Sequence, residues 1–320
     1  MNLKNIFLIT LLSFIWGCKN EIDINAPYKD IPVVYGFLDQ NEPINYLRIQ
    51  KLYQNSGTLS TLEGAQNPDS LYYDSLYITI TDSVTKKVYT CYQVDTVSKE
   101  SGFFANSKHT LYAVTLPKNN GINELYRLDI YYPAKMKHYS AVTGIVKDAT
   151  IGFRKIYLNL GFPNHVFQFR FTSGRNSAIY DLGIRYEYLE MDANDTSKQV
   201  VKKVYYQVSK SIPYAPEKDI QININSLDYV NFLKTQIPYD QSKLRRTLGI
   251  YYQAYGGTDR FREMLDLTKP NLTVVEKNPE FSNISNGLGI FTSRNYREMQ
   301  MGIDPSTVTL FAELLPNFEK

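Results

Sequence analysis

Apolar and polar side chains alternate with a period of two through most of this chain, and that rhythm constrains the fold more than any other feature. In Leu76-Tyr77-Ile78-Thr79-Ile80-Thr81 the aliphatic residues share one face. Tyr126, Leu128, Ile130 and Tyr132 repeat the pattern against Arg127, Asp129 and Tyr131. Phe167, Phe169 and Phe171 alternate with Gln168 and Arg170, Ile184, Tyr186 and Tyr188 with Arg185 and Glu187, and Ile220, Ile222 and Ile224 with Gln221 and Asn223. Successive side chains of a strand point to opposite faces, so each run predicts one face in a core and one in water. A turn over 82–86 joins the first run to a strand over 88–94 as a hairpin. Many short strands separated by turn residues predict sandwiches.

Helical spacing is confined to two late segments. Ser226 is placed to cap a helix over 227–237, in which Leu227, Val230, Leu233 and Ile237 share a face before Pro238 ends it. Asp259 is placed to cap a shorter helix with Phe261, Met264 and Leu265 inward, before Pro270. The expected fold is therefore mainly β, two β-sandwich-like domains with one or two short helices in the second. The expected organisation is a signal peptide at 1–17, a tether at 18–30, an immunoglobulin-like β-sandwich at 31–147 and a β-rich domain at 148–320.

The N-terminus follows different rules. Lys4 precedes an uncharged run of eleven residues, Ile6 to Trp16, that ends at Gly17-Cys18. This is the anatomy of a signal peptide, and it is too short for a membrane span, which needs about 20 apolar residues. A small residue before Cys at the end of such a run resembles a bacterial lipobox, in which the Cys18 thiol is acylated and the chain is cut before it. Ile15-Trp16 departs from the usual Leu and small residue of that pattern. Acylation makes membrane lipid the first expected partner, since two or three chains form a stable anchor. Lys19 followed by Glu21 and Asp23 resembles the short signal that exports some lipoproteins to the cell surface. The expected location is the outer membrane, lipid-anchored, in either leaflet.

The second and last cysteine, Cys91, then has no intramolecular partner, so stability must come from a core rather than from a disulfide. It lies in Val88-Tyr89-Thr90-Cys91-Tyr92-Gln93-Val94 on the face opposite the valines, which predicts a half-buried strand residue. Thirty-five basic and 32 acidic residues are interspersed and leave a net charge of only +3, so nucleic-acid binding has no electrostatic footprint. The 27 tyrosines suit strands with one wet face, and they also suit flat binding surfaces.

No local motif announces catalysis or a cofactor. His109, His138 and His165 are too far apart in sequence to form a local metal pair, and no zinc-protease, nucleophile-elbow, phosphate-loop or dinucleotide fingerprint is present. Asp192, Asn194 and Thr196 have the alternate spacing of a calcium loop, but the sixth position is not Gly and the twelfth is Lys203, so a hairpin turn is expected. The triplets that begin at Asp69, Asp74, Asp82 and Asp95 pair Asp with Ser70, Ser75, Ser83 and Thr96 before an aliphatic residue. They resemble the O-glycosylation acceptor of exported Bacteroidetes proteins, and they equally suit ordinary turn sequence; exposure favours Ser70 and Ser83. The polar stretch 55–69 reads as a long loop.

Two blocks at opposite ends carry a family resemblance. "IDINAPYKDIPVVYGFLDQNEPINYLRIQKLY" and the late "FSNISNGLGIFTSR" are similar to the opening and closing blocks of Bacteroidetes lipoproteins of domain-of-unknown-function family 4249. The resemblance supplies no catalytic residues. It implies an accessory role in the envelope beside a TonB-dependent transporter, with a surface hydrolase of polymers such as glycans as the alternative. Gly287 and Gly289 in the second block are expected to form a turn or bulge entering a buried strand.

Overall fold

The computed structural model describes residues 30–52, 71–95, 110–117, 125–151, 157–160, 165–268 and 281–319. Cys18, the leader, the tether up to Asp30, the stretch 55–69, Ser70, Thr96 and His109 lie outside the described residues.

Within them the fold is mainly β and sandwich-like, as the alternation predicts. The first strands are β1 (Pro32–Leu38), β2 (Asn45–Lys51), β3 (Tyr77–Asp82), β4 (Val88–Thr90), β5 (Tyr92–Val94) and β6 (Leu111–Val114). They continue with β7 (Leu125–Tyr132), β8 (Lys137–Gly144), β9 (Thr150–Ile151), β10 (Tyr157–Leu158), β11 (Val166–Thr172), β12 (Ile179–Asp192) and β13 (Asp195–Pro213). The last part comprises β14 (Asp219–Asn225), α1 (Ser226–Gln236), β15 (Lys243–Gly257), α2 (Asp259–Thr268), β16 (Leu288–Ile303) and α3 (Pro305–Leu314). Helix α3 was not anticipated, although Asp304 caps it by accepting from the Ser306 amide and Pro305 opens its first turn, both ordinary start signals.

One nine-stranded sheet runs β13-β12-β15-β16-β1-β2-β6-β5, with β10 also on β16. A four-stranded sheet, β4-β3-β7-β8, lies across from its β1–β2–β6 part, and the two inner faces make a first core that includes Val34, Leu47, Ile78, Ile80, Leu128 and Ile130. A three-stranded sheet, β14-β11-β9, and helices α1 and α3 cover the other part. There Phe169 and Phe171 meet Tyr180, Tyr186, Tyr252, Leu233 and Phe311 in a second core. Phe169 stacks on Tyr252 with centroids 4.5 Å apart, a contact that adds to simple area burial.

Strand β16 serves both cores, giving Phe291 to the first and Met301 to the second. Its first half pairs in parallel with β1, so the two blocks that carry the family resemblance lie side by side. Gly36 stands opposite Phe291, and a Cβ there would come within 2.9 Å of the ring. On the other flank of β16, the Asn283 carboxamide accepts from the Phe291 amide at 2.9 Å and donates to its carbonyl at 2.7 Å, replacing a neighbouring strand.

Two local expectations change. The segment 88–94 is not one strand: β4 pairs with β3 in the small sheet and β5 pairs with β6 in the large one. Cys91 makes the crossing, its amide donating to the Ile78 carbonyl, and it is buried in the first core instead of half-buried in a strand. The cap of α1 is Asn225, whose side chain accepts from the Leu227 and Asp228 amides. Ser226 is buried and donates its hydroxyl to the Leu160 carbonyl, while Leu227 turns outward and Tyr229 takes its expected place in the core.

Candidate functional site

The outer face of the long-stranded sheet, turned away from the second core, gathers polar residues from three strands. Register sets Arg185 beside Tyr251, and Gln253 and Tyr255 beside Glu298 and Tyr296. The Arg185 guanidinium lies 4.0 Å from the Tyr251 ring centre and donates to both oxygens of Glu298, at 2.6 and 3.2 Å. It also donates to Glu187. Glu298 accepts further from the Tyr296 hydroxyl at 2.6 Å and from Gln253 at 2.8 Å. Burial would raise the Glu298 carboxyl, but the bonds from Tyr296, Gln253 and Arg185 outweigh it and hold the group below its ordinary value. Burial and the bond to Glu298 push the Tyr296 hydroxyl up. Arg185 is only 8% exposed despite its position on the polar face, whereas Glu298 is half-buried and Tyr296 exposed, so the network is buried at the arginine and open to water at its tyrosine end.

Above this network opens a cleft of about 760 Å³. Ile179, Phe261 and Leu265 give it an apolar wall, Tyr205 and Tyr255 present exposed rings, and Lys210 and Arg294 bring positive charge. Tyr255 stacks on Tyr296 with centroids 4.5 Å apart. Helix α2 forms the wall because Phe261 packs edge-on to Phe37 of β1 and its amide is capped by the Thr258 hydroxyl, not by Asp259.

At the edge of the cleft the β1–β2 loop is tied down. Asp148 accepts from Asn41 at 2.6 Å, Asn295 at 2.8 Å and Gln40 at 3.1 Å. Burial works to raise its carboxyl, but these amides and the charge of Arg297 prevail and keep it low. Asp39, also in the cleft, is raised by burial and by the neighbouring Glu42 and Asp148 charges, which the Asn41 amide and the charge of Arg294 only partly offset. A second cleft of about 730 Å³ lies between β8, β13 and α2, and a third of about 540 Å³ lies around Asp30, Lys135 and Lys137. In the third, Asp30 accepts from the Tyr73 hydroxyl at 3.1 Å and pairs with Lys135 at 3.4 Å, which fixes the residue two before β1 to the first core.

The described sequence-derived candidates sit on separate elements. Ser75 is exposed just before β3, and Ser83 sits half-buried in the turn after it. Asp82 holds that turn by accepting from the Val84 and Thr85 amides. His138 stacks on Tyr131 at 4.4 Å, while His165 is exposed beside the second core, its carbonyl accepting from the Ser226 amide. Among the described residues no group of three or more His, Cys, Asp or Glu is placed to hold a metal. Asp192 and Asn194 form the β12–β13 hairpin turn, with the Asn194 amide donating to Asp192. The burial of Cys91 pushes its thiol up to about 12, which makes it a poor nucleophile. Arg185, Gln253, Arg294 and Glu298 have no local motif; the signal available was their place on the polar side of the alternation. No family model matches the chain, and no curated protein matches it. Among the described residues no helix is long and apolar enough to cross a membrane.

Proposed function

We propose that this chain is a lipid-anchored binding component of the cell envelope, which captures a ligand at the membrane surface and works beside a TonB-dependent outer-membrane transporter. The cleft over β12, β15 and β16 carries this reading. Its best-placed carboxylate, Glu298, is committed to Arg185, Gln253 and Tyr296, whereas the Tyr205 and Tyr255 rings face outward. A general acid or base needs a carboxyl that exchanges its proton near working pH, and Glu298 is held away from that range. The arrangement suits recognition better than turnover. Placement in the outer membrane rests on the lipobox-like Gly17-Cys18 and on the resemblance of the two terminal blocks to the family 4249 lipoproteins. Confinement to a membrane raises effective concentration, so even a weak contact with a transporter would be occupied.

A surface hydrolase is the second reading, favoured by Asp39, whose carboxyl is raised by burial and which shares the cleft with Glu42. Incubating the full-length protein with end-labelled oligosaccharides from plant and microbial polysaccharides separates the two. Binding predicts labelled material retained on the protein at unchanged length; progressive shortening of the oligosaccharides would establish the hydrolase.

A further inference from the structure

We infer that the cleft over β12, β15 and β16 selects acidic oligosaccharides, with Arg294 and Lys210 receiving the anionic group and Tyr205 and Tyr255 the sugar rings. The inference rests on the reading of this cleft as a ligand site and adds the chemical class.

Four cations line the cleft, and they are not equivalent. Arg185 is spent on Glu187 and Glu298, and Lys203 lies 3.5 Å from Glu187. Arg294 and Lys210 lie within ion-pair distance of no described carboxylate and are exposed at the cleft, although the charge of Arg294 acts on Asp39 from across the lining. Arg294 lies opposite Gly257 on the neighbouring strand, where a Cβ would fall 2.5 Å from the Phe261 ring, so the guanidinium emerges beside an apolar wall. Lys210 precedes Ser211, whose left-handed backbone (φ 52°) is held by the Asp181 carboxylate accepting its amide. The lysine is therefore carried by a fixed bend at the end of a strand. An arginine fork matches a carboxylate or sulfate in two parallel bonds, and a nearby lysine adds a point charge.

The remainder of the lining specifies what bears the anion. The exposed Tyr205 and Tyr255 rings suit the C–H faces of sugars, and of the four carboxylates in the lining, Asp39, Glu42, Asp181 and Glu298, it is Glu42 and the second oxygen of Asp181 that supply acceptors for hydroxyls. The floor is the face of central strands whose main-chain groups are already paired in the ladder between β12, β15 and β16. It offers no main-chain groups to an extended peptide, which would instead seek a sheet edge. The volume fits a short oligosaccharide and not a folded partner.

Calorimetric titration of the full-length protein in detergent tests this with trigalacturonate, a sulfated galactose trimer, neutral galactotriose and triglutamate. The expected result is binding of at least one acidic sugar that weakens with added salt, and none comparable for galactotriose or triglutamate; the two acidic arms tell carboxylate from sulfate. Arg294→Met and Lys210→Met should each weaken that binding about tenfold or more without lowering Tm, while Lys198→Met, outside the cleft, leaves it unchanged. Equal affinity for galactotriose would overturn the charge selection and leave the cleft as a ligand site. Preference for triglutamate, or no binding by either acidic sugar, would overturn the inference, and binding unaffected by either cleft substitution would remove the cleft itself.

Discussion

Gly289 of β16 lies directly against the main chain of Val34 in β1, so closely that a Cβ at position 289 would sit 2.0 Å from the Val34 carbonyl oxygen. Its φ of +101° also belongs to glycine, so space and conformation make the same demand. This contact lets the last strand pair with the first. Gly289→Val should therefore lower Tm by about 5 °C or more, since the backbone strain alone costs about 1–3 kcal/mol. Thermal unfolding followed by circular dichroism checks it, and an unchanged Tm would show that β1 and β16 do not meet as described.

The Arg185–Glu298 pair makes stability depend on acidity in a definite direction. Glu298 titrates below its unfolded value, so its contribution is full above the ordinary carboxylate range, near pH 4.3, and is lost as pH falls through the depressed folded value. Asp148 acts in the same sense. Glu298→Gln should be less stable than the parent at neutral pH and should lose less on acidification from roughly pH 5 to 3. Parallel melting curves for the two proteins across that range would contradict the network.

Cys91 should be chemically silent in the folded protein. With burial raising its thiol to about 12, a Cys18→Ser chain should resist iodoacetamide at pH 8 and react only after denaturant is added. Rapid labelling of the folded chain, read by mass spectrometry, would mean that the crossing between β4 and β5 is open.

The strands were legible because alternation is a local signal: Phe167, Phe169 and Phe171 needed no knowledge of their partners to be assigned inward. The crossing at Cys91 was not, since one continuous β pattern looks the same whether it stays in one sheet or passes to another. Ser226 illustrates a different limit, because Ser and Asn are both good caps and only the buried Leu160 carbonyl decides that the serine serves elsewhere. The cleft was the least legible part. Arg185 and Glu298 are 113 positions apart and meet only through the pairing of β12, β15 and β16. Their polar places in the pattern read as solvated, yet the arginine is buried.

Cys18 should carry the lipid. Cells grown with a clickable fatty acid should label the wild-type protein and not Cys18→Ala, and the variant should move from the membrane to the soluble fraction. Equal labelling of both would remove the anchor from the account.

Affinity purification after mild crosslinking of intact cells tests the central claim most directly. A lipid-anchored binding component predicts co-purification of a TonB-dependent outer-membrane transporter with the wild-type chain and its loss with Cys18→Ala. Recovery of the protein alone after crosslinking, together with turnover of a polymer by the purified chain, would contradict that account and establish an enzyme.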